Sequence, residues 1–116
     1  MRRMILFFLL AALSVSFLPV PAPAQDYPTK AITMICGFAA GGTTDLSARK
    51  LAELARKYLN NQPIVVETKA GGAGTVGTIA LAGAKPDGYT ISAVAYSPLV
   101  LIPHMRKVSY DAKKDF

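Results

Sequence analysis

The sequence predicts an α/β fold, a parallel sheet flanked by helices, and three observations carry that reading. A continuous apolar run from Ala31 to Phe38 leads through a glycine turn into a helical pattern. A short β-branched run, Ile64-Val65-Val66, leads through a glycine-rich loop into a stretch of small residues. A third strand is read from Tyr89 to Ala95. Strand, helix, strand, helix, strand in this order implies parallel strands joined by right-handed helical crossovers.

The first residues are not read as part of the fold. Arg2-Arg3, the apolar run Met4 to Val20 and the small residues Ala22-Pro23-Ala24 form a basic region, a hydrophobic region and a cleavage site. That is the pattern of a signal peptide over 1–24, with a mature start at Gln25. A spanning helix needs roughly 20 apolar residues, and Met4 to Val20 contains Ser14, Ser16 and Pro19. The pattern therefore predicts no stable membrane insertion after cleavage. The residue directly after the cleavage site is Gln25 and not cysteine, which disfavours a lipoprotein.

The mature elements follow in turn. Ala31 to Phe38 reads as a strand buried on both faces, because it is apolar without alternation. Ala39 to Thr44 is a turn. In the helix from Asp45 to Asn60, Leu51, Leu54, Ala55, Tyr58 and Leu59 recur at three- and four-residue spacing, the apolar stripe of an amphipathic helix. Thr43, Thr44 or Asp45 can cap its start through a side-chain oxygen. Ile64 to Glu67 is a β-branched strand, Thr68 to Gly74 a loop, and Thr75 to Ala84 a second helix. Lys85-Pro86-Asp87-Gly88 fits a type I turn. After the third strand, Tyr96-Ser97-Pro98 is a break, Leu99 to Met105 a short helix, and Arg106 to Phe116 a polar, irregular tail.

Composition narrows the function. The formal charge of +6 falls to +4 without Arg2 and Arg3, 11 Lys and Arg against 7 Asp and Glu. No helix face is uniformly basic and no aromatics interleave with the cations, which disfavours nucleic acid as a partner. Cys36, the one cysteine, lies in an apolar strand and reads as a small buried hydrophobe. His104 reads as exposed. There is no metal-ligand spacing, no nucleophile with a base beside it, and no cofactor is expected.

Ligands in open parallel sheets lie outside the carboxyl ends of the strands, here the loops Ala39 to Thr44, Thr68 to Gly74 and Tyr96 to Pro98. Gly41-Gly42 lets the backbone come close to a ligand, and the N–H groups of Thr43, Thr44 and Asp45 at a helix start favour an anion. A tight strand-to-helix turn explains Gly41-Gly42 equally well. Gly72 to Gly77 matches G-x-G-x-x-G, but four residues separate it from the preceding strand. The next strand ends Val94-Ala95-Tyr96-Ser97 without the acid a dinucleotide site needs. Tyr96 and Ser97 read as ligand hydroxyls or as the onset of a turn.

These pieces together resemble the substrate-binding proteins of tripartite tricarboxylate transporters, the Bug-type family. Phe38-Ala39-Ala40-Gly41-Gly42-Thr43-Thr44-Asp45 is similar to the family's first-loop motif, and Glu67 to Gly77 to its second loop. Lys85 to Thr90 and Tyr110 to Phe116 are similar to two further segments. Gly37 and Ala40 stand where many members carry proline. The resemblance implies a partial periplasmic-binding-protein-type domain, with 25–116 the incomplete first lobe of a two-lobe protein. It implies periplasmic capture of a small carboxylate, without catalysis, and delivery to the membrane subunits of a tripartite transporter. Carried over residue by residue, it points to Phe38, Ala40, Gly41, Gly42, Thr43, Thr44 and Asp45 in the first loop, Gly74 and Thr75 in the second, and Ser97 in the third. Two other classes fit the residues alone: an exported α/β enzyme with catalytic residues elsewhere, and a periplasmic ligand-sensing partner of a receptor. Expression with export in a bacterial host is expected to yield a chain beginning at Gln25, which intact-mass measurement checks; a chain retaining Met1 would refute the cleavage site.

Overall fold

A computed structural model of the chain describes residues 26–116, so the signal peptide expected at 1–24 lies outside the described residues. The strands are β1 (Ile32–Cys36), β2 (Ile64–Thr68) and β3 (Thr90–Ala93). They form one parallel sheet in the order β2-β1-β3. Met34 pairs with Val66 on one side and Ile91 on the other, and Cys36 with Thr68 and Ala93. β1 is central and the most buried of the three: Ile32, Met34, Ile35 and Cys36 are each at most 3% exposed. Burial of each such aliphatic or Met side chain stabilises by about 1.5–3 kcal/mol.

The helices are α1 (Thr43–Ala55), α2 (Thr75–Ala82) and α3 (Ile102–Met105). In-register strands place Met34, Val66 and Ile91 on one face of the sheet and Ile35, Glu67 and Ser92 on the other. α1 lies on the Met34 face, where Ala52 approaches Ile64 and Val66 and Ala48 approaches Ala93. α2 lies on the Ile35 face: a Cβ added to Gly77 would come 3.4 Å from Ile35 Cγ2. Both faces of the central strand are covered, as a run of apolar residues without alternation requires.

Several details depart from the sequence reading. β1 ends at Cys36 and not at Phe38, because Gly37 turns under α2. A Cβ on Gly77 would meet Gly37 Cα at 2.7 Å, and one on Gly37 would meet Gly74 O at 2.9 Å. α1 begins at Thr43, two residues early, and gives way after Ala55 to a tighter helical turn, Arg56–Tyr58. Asn60 and Asn61, with φ of 50° and 59°, then stop it, since Asn tolerates the left-handed region.

The face α1 buries also differs. Asp45, Ala48 and Ala52 meet the sheet, whereas Leu51, Leu54 and Tyr58 are exposed among the described residues. Small residues let the helix axis lie close to the strands, so the alanine stripe displaces the leucine stripe. The segment read as a type I turn is instead a bend in which Asp87 Oδ1 accepts the Tyr89 N–H at 3.0 Å. The tail is irregular as read, yet anchored: Tyr110 is buried, donates its hydroxyl to Pro98 O, and meets the Phe116 ring edge-on at 5.9 Å.

The Gly37–Gly77 contact gives a stability test. Gly77→Ala is expected to lower the urea midpoint by the equivalent of about 1–3 kcal/mol through overpacking. Gly83→Ala, whose added carbon meets nothing nearer than 3.7 Å, is expected to leave it unchanged. Equal midpoints for the two variants would contradict the close approach.

Candidate functional site

All three loops after the strands open at one end of the sheet. β1 leads to β2 on one side and pairs with β3 on the other, so the topological switch point, where α/β sheets hold ligands, lies between β1 and β3. There the first turns of α1 and the end of β3 enclose a recess of about 340 Å³, lined by Thr43, Thr44, Ser47, Ala93, Val94 and Ala95 among others.

The first loop is shaped by two glycines and one acid. Gly41 takes φ +77°, with nothing within 4 Å of where a Cβ would stand. Gly42 is the N-cap residue, in extended conformation and without a side-chain cap bond. None of Thr43, Thr44 and Asp45 caps the helix in the expected way. Asp45 reaches backwards: its Oδ2 accepts the Gly41 N–H at 2.9 Å and the Arg49 Nε–H at 2.9 Å. This resembles half of a capping box, in which an acid in the third helical position satisfies an amide preceding the helix.

Asp45 is 2% exposed and ionised. The Arg49 guanidinium, first, and the Gly41 N–H hold its carboxyl below the ordinary 3.8, although burial pushes the other way. In return, Asp45 raises the Arg49 guanidinium. The first helical bond is Leu46 N–H to Gly42 O at 2.9 Å. The N–H groups of Thr43, Thr44 and Asp45 are then without acceptors among the described residues, as a helix start demands.

The second loop differs. Gly72, Ala73 and Gly74 all take positive φ. Three of its amides are used internally: Gly74 N–H donates to Gly71 O at 3.0 Å, Thr75 N–H to Gly72 O, and Val76 N–H to Gly71 O at 3.4 Å. Gly77 serves packing against β1. Thr75 is buried and donates its hydroxyl to Gly72 O at 2.6 Å.

The loops meet at Phe38. A Cβ on Gly74 would stand 3.0 Å from Phe38 Cζ and 3.2 Å from Pro98 Cγ, so one residue from each loop shares a single contact. Of the residues singled out in the sequence, Phe38 and Gly74 touch. Thr43 and Thr44 line the recess, while Gly41, Gly42 and Asp45 adjoin them in the chain and do not line it. Thr75 lies behind the second loop, Ala40 is exposed, and Ser97 is half-buried at the start of a wide helical turn, Ser97–Leu101.

Arg106, Ser47, Val94 and Ala95 were not singled out. Arg106 donates from Nη2 to Gly72 O at 2.9 Å and to Thr75 Oγ1 at 3.1 Å. Nothing in its local sequence separates it from a surface cation. Cys36 is fully buried, as read. Among the described residues, no group of three or more His, Cys, Asp or Glu could hold a metal, and no helix is long and apolar enough to cross a membrane.

Comparisons with known proteins place the chain among related sequences and structures. The profile of the tripartite tricarboxylate transporter family receptor matches residues 47–116. A protein encoded in the gbd 5′ region of Cupriavidus necator is 38% identical over 105 residues, covering 90% of this chain and 32% of that one. The chain thus spans about a third of that relative's length. The structure of the periplasmic binding protein BugD is 50% identical with a TM-score of 0.55, covering 57% of this chain and 22% of that one. MatC from Rhodopseudomonas palustris with bound malate is 32% identical with a TM-score of 0.61, covering 78% and 31%. The observed parallel sheet with flanking helices is therefore a partial periplasmic-binding-protein fold.

The Asp45 clasp gives a pH prediction. A carboxyl whose folded value is depressed stabilises above its unfolded value and loses that contribution as pH falls through the folded one. The stability gap between the parent and Asp45→Asn is thus expected to be constant above about pH 5 and to shrink below the ordinary 3.8. Urea midpoints at pH 7 and pH 3 measure it; a gap independent of pH would rule out an ionised clasp.

Proposed function

This chain belongs to the family of tripartite tricarboxylate transporter receptors, and from that premise we propose that 25–116 form part of the first lobe of a two-lobe solute-binding protein. Its ligand is a small carboxylate, captured in the periplasm and handed to the membrane subunits of a tripartite transporter. Capture proceeds by binding at the carboxyl ends of the strands, followed by hinge closure of the second lobe. The protein binds its ligand without transforming it.

One observation carries the reading. The N–H groups of Thr43, Thr44 and Asp45 open at the switch point, beside the recess that Thr43 and Thr44 line. Backbone donors at a helix start hold a carboxylate without a cationic side chain. The acid in that turn does not oppose this, because Asp45 is buried and its charge is met by Arg49 at 2.9 Å. Malate bound to a neighbour of the same fold supports the ligand class. Phe38, Gly74 and Ser97 then supply the apolar floor and the neighbouring wall, Ala40 the rim and Thr75 the support behind it. Contacts from a second lobe would complete the site, so this part alone is expected to bind weakly.

Titration of the 116-residue chain with malate, followed by amide resonances, is expected to move the signals of Gly41 to Asp45 before any others, with millimolar affinity and no consumption of malate. Shifts confined to other regions, or turnover of malate, would overturn the proposal.

A further inference from the structure

Arg106 is held at the ligand-facing end of the sheet without a counterion. Among the described residues each ion pair has its acid close by: Arg49 with Asp45, Lys50 with Glu53, Lys69 with Glu67 and Lys114 with Asp111. Arg106 has none. It is nonetheless fixed in place, because both of its bonds come from one nitrogen, Nη2, to Gly72 O and Thr75 Oγ1. A Cβ on Gly72 would stand 3.1 Å from that nitrogen, so the guanidinium lies against a residue with no side chain. A guanidinium carries five N–H donors in a planar fork. Two are engaged here, which leaves the Nε–H and the two Nη1–H groups without partners among the described residues.

We infer that Arg106 is a specificity-determining residue, the cation that receives a second anionic group of the ligand at the second loop. The inference rests on the carboxylate reading of the first loop. One carboxylate uses the free amides at the start of α1. The first loop reaches the second through Phe38 on Gly74, and Arg106 is bonded across Gly72 and Thr75, on either side of Gly74. An anionic group at the far end of the ligand therefore meets a cation whose position is set before binding. Fixing the side chain in advance reduces the ordering that binding must impose. A monocarboxylate has nothing to place there. Lysine would keep the charge on one nitrogen but would lack the further donors that the guanidinium carries on Nε and Nη1.

The experiment compares malate and adipate, with two carboxylates, against butyrate, with one. Calorimetric or NMR titration is carried out on the full chain, on Arg106→Gln and on Arg106→Lys. Arg106→Gln is expected to weaken malate and adipate about tenfold, the scale of one charge-assisted hydrogen bond, and to leave butyrate unchanged. Arg106→Lys is expected to recover part of the difference. Unmoved amide signals of Gly74 and Gly77 check that the loop keeps its shape. Equal weakening of all three ligands would reduce Arg106 to a structural staple and overturn the inference, as would no change in any. Butyrate binding without dicarboxylate preference in the parent overturns the inference alone. Absence of binding by all three overturns the carboxylate reading and the inference with it.

Discussion

The backbone contact between Gly37 and Gly77 is the constraint on which the rest of the molecule depends. A Cβ on Gly77 would lie 2.7 Å from Gly37 Cα, a distance no side chain tolerates. The contact lets α2 start directly beneath the end of β1. It thereby brings the second loop to the first, so that Gly74 carries the Phe38 ring and touches Pro98 of the third loop. Pro98 in turn accepts from the Tyr110 hydroxyl, which ties the tail to the same knot. Glycine serves here because backbone can approach backbone only where no Cβ intervenes.

On the other face of the sheet a single carboxylate does comparable work. Asp45 joins the Gly41 amide to the Arg49 guanidinium and gives the Gly41-Gly42 turn its shape. A buried carboxylate is tolerated only when paired and hydrogen-bonded. The pairing here is one-sided, since Asp45 Oδ1 and Thr68 Oγ1 are both buried without a hydrogen-bond partner among the described residues. The turn so held leaves three amides open at the switch point, and the alanines that follow, Ala48 and Ala52, seat the helix on the sheet.

The fold was legible in the sequence to the level of element order, because unbroken apolar runs and turn residues are local signals. The loops at the carboxyl ends of the strands were legible, because Gly41-Gly42 and Gly74 stand out in the sequence as turn residues. The face of α1 was misread, because spacing ranks Leu51, Leu54 and Tyr58 above two alanines and an acid. The close approach to the sheet that Ala48 and Ala52 permit, together with the Asp45 bonds, reverses that ranking. Arg106 was missed because its partner Gly72 stands 34 positions away and its neighbours Met105 and Lys107 carry no cue.

The sequence by itself determined the α/β class, the parallel order of the strands, the burial of Cys36 and the membership of a family of transport receptors. Each depends on residues near one another in the chain or on motifs read whole. The tertiary structure alone decided which stripe of α1 is buried, that Asp45 clasps Gly41 and not the helix end, that the second loop engages its Gly74, Thr75 and Val76 amides itself, and that Arg106 lies over Gly72 and Thr75. The burial of that stripe and the placement of Arg106 depend on contacts between residues distant in sequence. The clasp and the loop's own bonds are local in sequence, but each depends on a backbone shape that residue type does not specify.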